Sequence, residues 1–128
     1  MEFEIHHVSE GATILPRGEL TIYKVAQVQK QLIEIVQTAD RLFLDLEGLD
    51  SIDTAGLQLL MSLKLYCHQH NKELQITNHP GALIALLDLY GLAGFFGDKI
   101  KLGPEQRQTW PFAYGTRKIS LDEVLTRP

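Results

Sequence analysis

The sequence predicts an α/β fold in which helices pack against a mixed, mostly parallel sheet of four to five strands. Two observations indicate this class. Strand-like and helix-like segments alternate along the chain after an initial pair of strands, which is the order expected of a mostly parallel sheet. Of the 128 residues, 45% are hydrophobic, and a chain of this length buries roughly 68% of its extended surface, enough for one core.

The first part of the chain is predicted to contain two strands and a helix. Residues 2–8 alternate apolar and polar side chains, which predicts a half-buried strand, and residues 12–15 follow as a second strand. Because Pro16 lacks an N–H group, we expect it at the end of this strand or at a bulge. Between residues 23 and 39, apolar side chains recur at helical spacing and predict an amphipathic helix (Val25, Val28, Leu32, Ile35, Val36).

The middle of the chain is predicted to contain a buried strand, a loop and a second helix. Residues 42–46 are nearly all apolar, as expected for a strand covered on both faces. We expect residues 48–53 to form a polar loop and residues 54–70 to form the second helix. Apolar side chains surround this helix on nearly all sides, so either some are exposed to a partner or neighbouring elements cover them (Leu57, Leu59, Leu60, Met61, Leu63, Leu65).

The last elements of the domain are a strand, a third helix and a short final strand. Residues 73–77 predict the first of these strands. Pro80 suits the first turn of the third helix, where its missing N–H costs nothing, and Gly91 is a natural stop after that helix. Phe95 and Phe96 indicate the short final strand.

Charge and composition divide the chain into a domain of residues 1–100 and a tail of residues 101–128. The domain carries 13 acidic and 7 basic side chains, and the tail carries 3 acidic and 5 basic ones. Within the tail, residues 110–114 alternate aromatic and small side chains as an extra strand would, and residues 120–123 fit the start of a short helix. Packing on the domain, pairing in a homodimer and ordering on a partner all remain open for the tail.

Composition argues against several classes of function. The net charge of −4 and the pI of 5.7 disfavour binding to nucleic acid. Cys67 is the only cysteine, so no internal disulfide can form. The amino end lacks a secretory signal and no apolar run is long enough to span a membrane, so we expect a cytoplasmic protein. The histidine spacing and the lack of nucleophile or phosphate-binding motifs predict no metal, no cofactor and no enzymatic activity.

The most informative segment is the start of the second helix. Asp53 is a good N-cap, because its carboxylate can accept from the backbone N–H groups of the first turn. Thr54 follows as the first helical residue, with its hydroxyl at the positive end of the helix dipole. Gly56 has no side chain and lets another surface approach closely. Two interpretations follow: Asp53 and Thr54 only cap a helix, or Thr54 is a phosphorylation switch.

Phosphorylation of Thr54 would add about −1.5 to −2 charges. A helix N-terminus tolerates such a group, so the domain need not unfold. The new charge is expected to crowd four acidic residues that no basic residue separates in sequence (Asp45, Glu47, Asp50, Asp53). A partner that covers the Thr54 hydroxyl beside this acidic segment would then be repelled.

A motif in this segment resembles the STAS domain, the family named for sulphate transporters and anti-sigma-factor antagonists. The motif is Asp53-Thr54-Ala55-Gly56-Leu57 after a buried strand, with Gly18-Glu19-Leu20 at the end of the second strand. The resemblance covers residues 3–98, including the later Leu89-Tyr90-Gly91-Leu92 run. It implies a STAS-like α/β fold.

The resemblance also implies a non-enzymatic switch protein. Small STAS proteins of this kind bind a serine/threonine kinase of the histidine-kinase-like ATPase class, which is the anti-sigma factor. Phosphorylation by this kinase releases them, and a PP2C-like phosphatase restores binding. Carried over to this sequence, the phospho-acceptor is Thr54. The surface that contacts the partner would comprise six residues (Glu19, Thr21, Asp53, Thr54, Gly56, Leu57).

Two positions depart from the family pattern. Thr21 stands where family members often carry Asp, and the acceptor is Thr54 rather than the commoner Ser. The Asp-Thr-Ala-Gly run is also similar to the STAS subunit of bacterial ABC-type phospholipid-transport systems. That similarity implies an alternative function, a regulatory subunit that binds the transport ATPase with no need for phosphorylation.

Overall fold

The computed structural model describes residues 1–98 of the chain. In chain order, the elements of this part are β1 (Glu2–Val8), β2 (Gly11–Leu20), α1 (Val25–Val36), β3 (Arg41–Asp45), β4 (Leu49–Ile52), α2 (Thr54–Gln69), β5 (Glu73–Thr77), α3 (Gly81–Tyr90) and α4 (Ala93–Phe96). The tail expected at residues 101–128, with its strand and helix, lies outside the described residues. Within the described part, no helix is both long enough and apolar enough to cross a membrane.

The strands form one mixed, mostly parallel sheet of five strands, as predicted. β2 pairs antiparallel with β1 and parallel with β3, and β3 pairs parallel with β5. β4 pairs parallel with the last residues of β2, where the register shifts between Gly18 and Glu19. The carboxyl ends of β2 and β4 therefore lie side by side, and the loop to α1 and the first turn of α2 begin at this edge.

The helices cover one face of the sheet. Alternate residues of β2, β3 and β5 point to this face and are at most 7% exposed (Ala12, Ile14, Leu42, Leu44, Leu74, Ile76). α1 buries Val28, Leu32 and Val36, which are three of the five residues of the predicted stripe, while the other two, Val25 and Ile35, are partly buried against the same core. Burying each such side chain stabilises the fold by about 1.5–3 kcal/mol.

Neighbouring elements cover α2, which confirms the second of the two interpretations of its apolar surface. Four of its leucines are buried in the core (Leu57, Leu59, Leu60, Leu63). Met61 and Leu65 are half-buried and pack against the same core. The apolar residues of α2 therefore form no exposed patch for a partner.

Two segments differ from the expectation. Residues 48–53, expected as a polar loop, contain β4, because Leu49 and Ile52 point into the core while the backbone pairs with β2. Phe95 and Phe96, expected as a strand, belong to the helical turn α4, with 7% and 6% exposure. Consecutive strand residues point to opposite faces, whereas a helical turn lets both rings reach one core.

β2 is longer than its residue pattern predicted. The alternation placed its end near Pro16, but the strand continues to Leu20, where the STAS resemblance placed its end. Pro16 lies opposite Phe3 of β1, between residues 12–14, which pair with β3, and residues 18–20, which pair with β4. The missing N–H group therefore falls where β2 passes from one parallel partner to the next, so the proline does not interrupt the strand.

The other elements agree with the prediction apart from their ends and the burial of β1 and β3. β1 was expected to be half-buried, but among its seven residues only Phe3 is partly buried and the others are exposed. α1 begins at Val25 rather than at residue 23, because the Thr21 carbonyl accepts from both Lys24 and Val25 and forms a turn before the helix. α1 also ends at residue 36, short of the expected residue 39. β3 buries one face fully, but Phe43 and Asp45 on its other face are only half-buried.

α2 and the end of β2 approach each other closely at Gly56. A Cβ atom added there would lie 2.2 Å from the carbonyl oxygen of Leu20 and 2.8 Å from Cγ1 of Ile52. A backbone oxygen cannot move aside without shifting β2, so only glycine fits at this position. By contrast, Gly91 ends α3 in the left-handed conformation, with φ of 64° and nothing within 4 Å of an added Cβ.

We expect Gly56→Ala to lower the free energy of unfolding by about 3 kcal/mol or more, because its methyl group would overlap a main-chain oxygen. The matched control is Gly91→Ala, in which the methyl group has open space and only the left-handed backbone is strained, at about 1–2 kcal/mol. Urea denaturation followed by circular dichroism measures both losses. Equal losses in the two variants would contradict the packing role of Gly56.

Candidate functional site: the surface at the start of α2

Asp53 connects the first turn of α2 to the loop after β2. Its Oδ1 accepts from the N–H of Gly56 at 3.0 Å, which confirms the predicted N-cap. Its Oδ2 accepts from the N–H of Ile22, also at 3.0 Å. The Asp53 N–H in turn donates to the carbonyl oxygen of Leu20 at 3.3 Å. One residue therefore fixes the position of the β2–α1 loop relative to α2.

These hydrogen bonds keep the Asp53 carboxyl ionised. The N–H groups of Ile22 and then Gly56 stabilise the carboxylate and lower the pKa of Asp53 below its ordinary value of 3.8, while desolvation opposes them. A negative charge therefore stands immediately before Thr54 at neutral pH.

Thr54 is exposed at the first position of α2. Its side chain is exposed to solvent. Because α2 follows β4, Thr54 lies at the same end of the sheet as the carboxyl end of β2. The hydroxyl is therefore open to a modifying enzyme or to a partner surface.

The loop between β2 and α1 borders Thr54. Glu19 is exposed near the end of β2, and Thr21 is half-buried, with an Oγ1 that has no hydrogen-bond partner among the described residues. Ile22 and Tyr23 are 65% and 90% exposed. Neither residue was predicted as part of the site, although two adjacent large side chains between a strand and a helix are a signal that the sequence contains.

Gly56 and Leu57 lie inside the domain. Gly56 packs against the Leu20 carbonyl, and Leu57 is 2% exposed in the core. This burial disagrees with the expectation that both residues contact a partner, because the motif positions that follow Thr54 turn inward with the helix. Their role in the described structure is to seat α2 on the sheet.

The four acidic residues around the motif do not form one cluster. Asp45, at the end of β3, accepts through Oδ1 from Asn78 Nδ2 at 2.9 Å and from the N–H of Glu47 at 3.0 Å, so its side chain is held to the β5–α3 loop. The extended strand β4, at about 3.3 Å per residue, separates Glu47 from Asp53. Asp53 is therefore the acidic group that a phosphate on Thr54 would meet first.

A second polar cluster lies between α2 and β5. Lys64 Nζ donates to the Leu74 carbonyl at 2.6 Å and to Oδ1 of Asp98 at 3.0 Å, and the same Asp98 oxygen accepts from the Ile76 N–H. Burial lowers the pKa of the nearby His79, which Asp98 opposes and Lys64 reinforces. These contacts fasten residue 98 to β5. Across residues 1–98, no three potential metal ligands come together.

We expect Asp53→Ala to lower the free energy of unfolding by about 1–2 kcal/mol at neutral pH, because the helix cap and the link to Ile22 are lost. Since the pKa of Asp53 is lower in the folded protein than in the unfolded chain, this contribution is complete above the unfolded value. It disappears as the pH falls through the lower, folded value.

Urea denaturation at neutral pH and at about pH 3 tests this prediction. Asp40→Ala is the control, because its side chain is 93% exposed and its ion pair with Lys72 is 3.4 Å long. Such an exposed pair contributes about 0–1 kcal/mol. An Asp53→Ala loss of the same size at both pH values would contradict the assigned role of the carboxylate.

Solved structures of anti-sigma factor antagonists share this fold. One from Mycobacterium paratuberculosis has a TM-score of 0.63 at 13% sequence identity, over 86% of this chain and 93% of that one. The anti-sigma factor antagonist SpoIIAA in its unphosphorylated form has a TM-score of 0.59 at 14% identity, over 84% of this chain and 93% of that one. The Bacillus cell fate determinant SpoIIAA in the phosphorylated form has a TM-score of 0.58 at 15% identity, over 84% and 97%.

The family assignment comes from the sequence. No curated protein matches the chain significantly. The family described as "Mlab, STAS domain" matches residues 5–102, which is more than half of the chain and includes the whole Asp53–Leu57 motif. Since the family match and the fold agree, the chain belongs to the STAS domain family.

Proposed function

We propose that this chain is a non-enzymatic switch protein that binds a serine/threonine kinase of the histidine-kinase-like ATPase class and is released when Thr54 is phosphorylated. The observation that carries the proposal is the double hydrogen bond of Asp53, which holds the β2–α1 loop and α2 together and leaves Thr54 exposed beside them. Glu19 and Thr21 complete the contact surface on the loop side.

The comparisons support this proposal. SpoIIAA, a protein of similar fold, is an anti-sigma factor antagonist that occurs in an unphosphorylated and a phosphorylated form. The STAS domains with which the chain is classified are generally binding proteins rather than enzymes. In the proposed cycle, the kinase is the anti-sigma factor and a PP2C-like phosphatase returns the chain to its binding form.

The proposed release step is electrostatic. The kinase transfers the γ-phosphoryl group of ATP to Oγ1 of Thr54, which loses its proton, and ADP leaves. The phosphate adds about −1.5 to −2 charges next to the ionised Asp53. Asp53 already accepts from the Gly56 N–H, so this N–H does little to stabilise the phosphate. A bound partner would have to desolvate both negative groups, which costs free energy.

We expect Thr54→Glu to weaken binding to the kinase by about tenfold or more, which corresponds to about 1.4 kcal/mol, because the carboxylate places negative charge on the contact surface. Thr38→Glu is the matched control: Thr38 is an exposed threonine after α1, on the opposite edge of the sheet. Isothermal titration calorimetry measures both dissociation constants. Equal affinities of wild type and Thr54→Glu would contradict the proposal.

We expect incubation with the kinase and ATP to add one phosphoryl group, about 80 Da, to the intact protein. Thr54→Val should abolish this addition, because the methyl group that replaces the hydroxyl cannot accept phosphate, while Thr38→Val should leave it unchanged. Intact-mass spectrometry gives the result directly. An addition that persists in Thr54→Val would place the acceptor elsewhere.

A second candidate function is a STAS subunit that binds the ATPase of an ABC-type phospholipid-transport system. The family description, "Mlab, STAS domain", and the similarity of the Asp-Thr-Ala-Gly run to such subunits favour it. The two candidates differ in whether phosphorylation of Thr54 is needed. Genes for a permease and an ATPase next to this one would favour transport, and genes for a kinase or a PP2C-like phosphatase would favour the switch.

A further inference from the structure

We propose that this chain forms a two-fold symmetric homodimer in which β1 pairs antiparallel with β1 of a second copy. Ile5 lies at the two-fold axis, and Glu4 of each protomer faces His6 of the partner subunit. The dimer surface is separate from the surface at Thr54, because none of the residues assigned to the latter belongs to β1.

β1 is an end strand of the sheet and has an unpaired edge. One side of it pairs with β2 in an unbroken register from Glu2 opposite Arg17 to Val8 opposite Gly11. Within residues 1–98, its other side pairs with no strand. β1 contains no proline, no lysine and no bulge, three of the features by which proteins protect such an edge. Its free backbone groups are therefore available to another strand.

The opposite end of the sheet, at β5, is protected by side chains. The N–H of Glu73 donates toward β3, to the Asp40 carbonyl, so the backbone groups of residues 74 and 76 point outward. Lys64 Nζ donates to the carbonyl of residue 74 at 2.6 Å, and Asp98 Oδ1 accepts from the N–H of residue 76 at 3.0 Å. Among the described residues, no side chain bonds to the backbone of β1 in this way. The two edges therefore differ, and β1 is the open one.

The hairpin between β1 and β2 determines which backbone groups of β1 point outward. Its two-residue turn makes Val8 and Gly11 a hydrogen-bonded pair. Hydrogen-bonded and non-hydrogen-bonded pairs alternate in an antiparallel ladder, so Phe3, Ile5 and His7 direct their N–H and C=O groups away from β2. A second strand must therefore pair through these three residues.

The side chains of β1 favour one register of self-pairing. When Ile5 lies opposite Ile5 of the partner subunit, Phe3 lies opposite the partner's His7 and Glu4 lies opposite the partner's His6. A shift of two residues in one direction would place Glu4 opposite the partner's Glu4, and like charges directly opposite are destabilising. A shift in the other direction would bring the two His6 rings together without a carboxylate. The strand is therefore complementary to itself about Ile5, which is why a second copy of this chain is the partner that fits.

Glu4 is already oriented for this contact. Its Oε1 accepts from His6 Nε2 at 2.9 Å and its Oε2 accepts from Arg17 Nη2 at 3.0 Å, yet its side chain remains 46% exposed. In the proposed register, Glu4 and the partner's His6 form a non-hydrogen-bonded pair, whose Cβ atoms lie about 4.5–5.5 Å apart. Because a two-fold interface repeats each contact, carboxylates and imidazoles would alternate around the axis.

Sedimentation velocity of the full chain tests for the dimer. The interface between two strands is small, so we expect a weak dimer, whose mass rises toward twice the 14.5 kDa of the chain as its concentration increases to about 500 µM. A wild-type chain that stays monomeric over this range would overturn the proposal.

Cysteine cross-linking tests the position of the axis. In the proposed register, the two Ile5 Cα atoms lie about 5.5 Å apart, within the range of a disulfide. The two His7 Cα atoms lie about 14 Å apart, outside that range. Under mild oxidation, we therefore expect Ile5→Cys to form a covalent dimer and His7→Cys, the control on the same edge, to form none. Cys67 is only 1% exposed and does not interfere. Equal cross-linking of the two variants, or none in Ile5→Cys, would overturn the proposed axis.

Charge reversal tests the register. We expect Glu4→Lys to weaken the dimer by about tenfold, because both contacts between Glu4 and the partner's His6 lose their carboxylate. Adding His6→Glu should restore the affinity, since the new glutamate would face the new lysine across the axis. Glu2→Lys is the control: it makes the same change of charge on the same strand, opposite the partner's Val8, and should change the affinity less than about twofold.

The outcomes distinguish the dimer from the proposed switch. Glu4→Lys with no loss of affinity, or a double variant that stays as weak as Glu4→Lys, overturns the register. Circular dichroism verifies that each variant is folded. Thr54→Glu should dimerise as the wild type does, so its loss of binding to the kinase tests the switch alone. A dimer that disappears in Thr54→Glu would overturn the separation of the two surfaces.

Discussion

A single carboxylate holds the candidate site together. Asp53 accepts from the N–H groups of Gly56, in its own helix, and of Ile22, 31 residues earlier in the chain. Because the Asp53 side chain is only half-buried, the two hydrogen bonds together contribute about 1–2 kcal/mol. The contact between Gly56 and the Leu20 carbonyl closes the same junction by packing. The exposed loop and the exposed hydroxyl therefore keep a fixed relation to each other.

This arrangement makes the start of α2 sensitive to added charge. A helix N-terminus ordinarily stabilises an anion through its free N–H groups. Here Asp53 already supplies an anion to the first turn, and its lowered pKa reflects how well that turn and the Ile22 N–H stabilise it. A phosphate on Thr54 would thus add negative charge at a helix N-terminus whose partial positive charge already interacts with the Asp53 carboxylate. Its effect would be directed outward, toward whatever protein covers the hydroxyl.

The sequence predicted the fold wherever local periodicity carries the information. The alternating pattern of residues 2–8 predicted the strand β1 but not its exposure, and the helical spacing predicted the buried stripe of α1. β4 was missed because its four residues become a strand only by pairing with the end of β2, which lies about 30 residues away. The extension of β2 beyond Pro16 has the same cause: β2 changes its parallel partner there, and no local pattern reveals that change.

In the candidate site too, local contacts were predictable and long-range contacts were not. The cap formed by Asp53 is local and was predictable, whereas its bond to Ile22 depends on two strand ends meeting at one edge of the sheet. Within the motif, Gly56 and Leu57 face inward, so the recognisable pattern mostly specifies how α2 is seated, and Thr54 is the motif residue that stands exposed. The motif therefore mainly determines how α2 packs, and the other exposed side chains near Thr54 lie outside the motif, on the loop between β2 and α1.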